Sequence, residues 1–145
     1  MDQQQGVERS AARGVREKPF GKRPLTRYKV RLVPKGDEKP TAAHVELTCA
    51  GSNDRRLAEV WIDLGKEGWQ LRHGAKVVTQ LVSKLLQYGC PLADILSTLK
   101  GNPSSEAGRV ECSEEPDMER PVNSLWDAIA AVIEYGVDEK GCVRE

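Results

Sequence analysis

The sequence predicts an α+β domain, a three-stranded antiparallel meander followed by three helices packed on one face of the sheet. Two features of the chain predict this architecture. Between residues 27 and 64, apolar side chains recur at every second position in three runs divided by short turns, and parallel pairing would need long crossovers that such turns cannot supply. Beyond residue 68 the apolar period changes to that of a helix, so strands come first and helices after.

Each element has its own warrant. Tyr28, Val30 and Leu32 alternate with Lys29, Arg31 and Val33, and Pro34-Lys35-Gly36-Asp37 ends this strand in a turn. Ala43, Val45, Leu47 and Cys49 share one face of the second strand, with His44, Glu46 and Thr48 on the other. Gly51-Ser52-Asn53-Asp54 supplies the next turn. In the third strand Ala58, Val60, Ile62 and Leu64 alternate with Glu59, Trp61 and Asp63.

Leu71, Val78, Leu81, Val82, Leu85 and Leu86 then fall at helical spacings, which predicts an amphipathic helix of about 17 residues with these side chains inward. Gly89 stops it, as a C-terminal glycine does, and Pro91 suits the first turn of the next helix. That helix points Leu92, Ile95, Leu96 and Leu99 inward and ends at Gly101. The last helix begins at Ser124, whose hydroxyl and the Asp127 carboxylate form a capping box. Leu125, Ile129, Val132 and Ile133 make its buried stripe, and Gly136 closes it.

The expected organisation is a disordered basic arm over 1–26, a domain over 27–136 and a tail over 137–145. Residues 102–122, acidic and with three prolines, are expected to form a mobile linker inside the domain. The chain has 145 residues, 39% hydrophobic and 30% charged, with a formal net charge of zero, which suits one domain with flexible ends. No apolar run approaches the roughly 20 residues that span a bilayer, and the N-terminus lacks the apolar core of a secretory signal. A cytoplasmic protein without membrane contact is expected. Cys49, Cys90, Cys112 and Cys142 form no CxxC pair, and His44 and His73 are the only imidazoles. The close ligand pairs of a zinc site are missing, so no metal and no cofactor is expected.

The stretch from Leu57 to Gly101 carries a resemblance to a known family. Glu59-Val60-Trp61-Ile62-Asp63-Leu64-Gly65-Lys66-Glu67-Gly68 resembles the strand and turn "E-V-F-I-x-L-G-K-x-G" of the TSCPD domain, which closes vitamin-B12-dependent (class II) ribonucleotide reductases. Tyr88-Gly89-Cys90-Pro91-Leu92-Ala93-Asp94-Ile95 is similar to its "Y-G-V-P-L-E-E-I", Leu99-Lys100-Gly101 to its "L-K-G", and Ser124-Leu125-Trp126-Asp127-Ala128-Ile129 to its "S-I-P-D-A-I". The resemblance implies the same fold and a free-standing module of that reductase family. It does not extend to the family's cysteine-bearing end, of which only Cys142 stands near the C-terminus, or to the motif that names the domain. The reductase's catalytic barrel does not fit in 145 residues. A non-catalytic binding module is therefore expected, acting on a reductase subunit, another protein or an anionic ligand.

Two groups of residues are candidates for that binding. Gly65, Lys66 and Gly68 form a turn between strand and helix, with Arg72 and His73 in the first helical turn. Backbone N–H groups at a helix start beside cations can hold a phosphate, which makes a nucleotide the expected ligand. The spacing fits neither the P-loop nor the dinucleotide fingerprint, and glycines there also serve a tight turn. Trp61 and Trp69 are candidates for a contact surface on the outer sheet face, where a self-complementary dimer is the expected self-association. The basic arm offers a third route, a salt-sensitive contact with nucleic acid. No catalytic set is expected. Glu59 and Asp63, four apart on a strand, stand about 13 Å from each other, and no spacing links either histidine to a nucleophile.

Overall fold

In a computed structural model the chain forms one antiparallel sheet with helices on its inner side. The structure describes residues 15–19, 21–36, 39–65, 69–100 and 107–145. Strands β1 (Leu25–Pro34), β2 (Thr41–Gly51) and β3 (Asp54–Asp63) make the meander, followed by helices α1 (Trp69–Gln87) and α2 (Leu92–Lys100). Strands β4 (Gly108–Glu111) and β5 (Arg120–Val122) follow, with a 3-10 turn (Pro116–Met118) between them, and helix α3 (Leu125–Gly136) comes next. The sheet order is β3-β2-β1-β4-β5, five strands with β1 at the centre.

Meander and helices agree with the expectation, but the expected linker does not. Residues 108–111 and 120–122 are strands: β4 pairs antiparallel with β1 from Arg31↔Glu111 to Pro34↔Gly108, and β5 pairs with β4. Runs of four and three residues are too short for alternation to register. The prolines do not prevent pairing, because Pro121 lies on the edge strand, where a missing N–H costs no ladder bond. Gly108 is required by close approach: a Cβ there would stand 2.1 Å from the Val33 carbonyl oxygen. Residues 101–106 lie outside the described residues.

Both ends also depart from the expectation. Strand β1 starts at Leu25, and the backbone before it is tied down. The Glu17 N–H donates to the Gln87 carbonyl, and Arg23 pairs with Glu59 at 2.8 Å. The expected tail returns along β3, where the Val143 N–H donates to the Arg55 carbonyl and the Leu57 N–H to the Gly141 carbonyl. Asp138 organises this return by accepting from the Cys142 and Lys140 N–H groups, and these bonds hold its carboxyl below the usual range. Residues 1–14 lie outside the described residues.

Period-2 alternation is realised as read. Tyr28, Val30, Ala43, Val45, Leu47, Val60 and Ile62 are buried on the inner face against Ile129, Val132 and Ile133 of α3. Ser124 caps α3 by accepting from the Asp127 N–H, and the Asp127 carboxylate reaches back to the Asn123 N–H. At the other end of α3, a Cβ on Gly136 would lie 2.3 Å from Leu47 Cδ1, so only glycine lets this turn rest on the sheet. Nearby, the Tyr135 hydroxyl donates to the Glu115 carboxylate at 2.5 Å, and its pKa is pushed up to about 12 by that bond.

Helix α1 packs along the free edge of β3. The Ser83 hydroxyl accepts from the Val60 N–H at 2.9 Å, and Gln87 Nε2 donates to the Ala58 carbonyl at 3.0 Å. These polar side chains take the place of a neighbouring strand and block edge pairing. Ala75, Thr79 and Val82 are buried beside them. The expectation that Leu81 and Leu85 point inward is corrected: they are 56% and 46% exposed. No helix among the described residues is long and apolar enough to cross a membrane.

Candidate functional site

The turn after β3 is built around its own backbone. Gly65 adopts φ 62, the left-handed region that favours glycine. Its N–H donates to the Asp63 carboxylate at 2.9 Å, and Arg72 donates to its carbonyl at 2.9 Å. Gly65 and Arg72 thus meet, but through a bond that staples the helix start to the turn, with a carboxylate already on the Gly65 N–H. His73 is exposed in the first turns of α1. Lys66 and Gly68, and the side chain of Trp69, lie outside the described residues.

A cleft of about 340 Å³ lies between the end of β1, β4 and the beginnings of α1 and α3. Leu71, Lys39, Arg109 and Ser124 line it, so two cations border a cavity that the start of α1 also lines. Arg109 also pairs with Glu111 at 3.3 Å.

The outer sheet face carries ion pairs between neighbouring strands. Arg27 pairs with Glu46 and Arg31 with Glu111, both at 3.7 Å. Trp61 is 40% exposed, and Lys76 Nζ stands 5.7 Å from its ring centroid, within cation–π range.

The groove between α1 and α2 has the opposite character. Val78, Leu81, Val82 and Leu85 of α1 face Ile95 and Leu99 of α2 across a space of about 270 Å³, with Cys90 at one end and Asp94 and Thr98 on the rim. Val77, Leu81 and Leu85 of this helix are exposed, as is Tyr88 just past its end. Scattered surface apolar residues need no explanation, but a contiguous patch marks a contact surface. Sequence reasoning missed the groove by assigning all the helix's leucines to the core. The available signal was width. At about 100° per residue the apolar positions of α1 cover roughly 200° of its circumference, twice the stripe that one packed face needs.

No three His, Cys, Asp or Glu side chains among the described residues cluster to hold a metal. Cys49 and Cys112 are buried, and burial pushes the Cys49 thiol up. Cys90 and Cys142 are half-buried.

A five-stranded antiparallel sheet backed by three helices, with an apolar helix–helix groove on its surface, defines a small α+β domain. The chain belongs to the TSCPD-domain family, whose model matches residues 15–135. The match includes β4, β5 and nearly all of α3. This family is related to the C-terminal domain of B12-dependent ribonucleotide reductases. No curated protein and no solved structure matches the chain.

Proposed function

We propose that this protein is a non-catalytic binding module of the TSCPD family that acts by protein contact through the α1–α2 groove. The observation that carries this reading is the exposed pair Leu81 and Leu85, which line the groove together with Val78 and Val82. Water around these side chains is released when a partner covers them, a gain of about 25 cal/mol per Å² of apolar surface.

Cys90 supplies the test, because its thiol lines the groove. A photo-crosslinker attached there on the full chain is expected to capture a partner, a second copy included. Capture should be lost in Leu81→Glu. If nothing captured by the wild type is lost in that variant, the groove is not the contact surface. The same reading expects no ribonucleotide reduction by the isolated chain with adenosylcobalamin and a thiol reductant. Turnover under those conditions would overturn it.

A second reading is an anionic ligand, a nucleotide above all. The cleft that brings Leu71 of α1 beside Lys39 and Arg109 favours it. Calorimetry against mono-, di- and cyclic nucleotides tests this, with Lys39→Ala and Lys66→Ala expected to weaken binding. Absence of heat with every ligand removes the reading.

A further inference from the structure

Resting on the groove as a contact surface, we infer that its occupant is the α1 helix of a second copy of this chain, forming a two-fold dimer. Val78, Leu81, Leu85 and Tyr88 are spaced three, four and three residues apart. That is the spacing of a helix–helix seam, in which knobs of one helix enter holes on another. A strand or an irregular peptide has no use for this period, so the partner element is a helix.

The rims of the groove point to the same chain. Lys84 stands exposed on α1, three residues beyond Leu81, and Asp94 lines the α2 side of the groove. Neither side chain has an ion-pair partner among the described residues. An acidic rim on the groove and an unpaired lysine beside the apolar face of α1 make the groove and that helix complementary in charge. In a two-fold contact residue i meets j and j meets i, so a second α1 turned end for end brings each Lys84 toward the other copy's Asp94. Leu81 and Leu85 then face each other across the axis. On the outer sheet face Arg27 and Arg31 are already paired within the sheet.

The seam from Val78 to Tyr88 is only about 15 Å long at 1.5 Å per residue. The dimer is therefore a weak one, with a dissociation constant on the order of 10–100 μM, as suits an interface at the small end of the range. Sedimentation velocity of the full chain over a concentration series should show the mass rising from 16.0 kDa toward twice that value. Leu81→Glu should hold the protein as a monomer with unchanged circular dichroism. Lys84→Glu and Asp94→Lys should each weaken dimerisation about tenfold, and the double variant should recover most of that loss. A monomer at every concentration overturns the inference. So does a dimer indifferent to Leu81→Glu, or a double variant no better than the singles. A wild-type monomer that still captures another protein through Cys90, with capture lost in Leu81→Glu, sinks the second copy and leaves the groove reading standing.

Discussion

Helix α1 carries two apolar stripes that the fold treats in opposite ways. One, through Ala75, Thr79 and Val82, is buried against the sheet. The other, through Val77, Leu81 and Leu85, faces outward. Hydrophobicity does not separate them, since the outward stripe has the larger side chains. The polar residues do. Ser83 and Gln87 are needed at the free edge of β3, where Val60 and Ala58 present unpaired backbone groups. A buried N–H or carbonyl left unsatisfied costs more than exposed leucine surface does, so edge satisfaction fixes the helix's rotation. The surplus apolar arc is then left for contact.

A carboxylate placed on each stripe in turn separates the two. Val82→Asp should cost about 4 kcal/mol or more in urea unfolding, because the charge would be buried without a partner. Leu81→Glu should change stability by no more than about 0.5 kcal/mol, as exposed substitutions do. Equal costs would mean that both stripes are core.

Ser83→Ala tests how the edge of β3 is held. Removing the hydroxyl leaves the Val60 N–H without its acceptor, and the expected loss is about 1–2 kcal/mol. Faster amide exchange at Val60 should accompany it. If exchange there is unchanged, the serine does not hold the edge.

The smallest expected effect lies away from α1, at the corner joining α3 to the β4–β5 connection. The Tyr135 phenol is held protonated by its bond to Glu115, with a folded pKa of about 12 against about 10 in the unfolded chain. Its contribution is complete below pH 10 and is lost as pH rises from 10 through 12. Tyr135→Phe should flatten alkaline unfolding curves in that window. An unaltered curve would show that the bond contributes nothing.

Much of this molecule was legible in its sequence. Alternation placed Val30, Val45, Leu47, Val60 and Ile62 on the inner face, and the capping residues at Ser124 located the start of α3. The turn at Gly65 was visible as a glycine turn, but the carboxylate of Asp63 on its N–H was not. Such local features follow from steric and hydrogen-bond preferences spanning a few residues, which the sequence alone determines. Three things were decided only by tertiary structure. Strands β4 and β5 exist because β1 offers a free edge to runs too short to pair by themselves. The expected tail is held by β3 backbone groups more than 80 residues earlier in the chain. The facing of α1 was set by the sheet edge it must satisfy, because a helix apolar over half its circumference has no rotation that its own residues prefer.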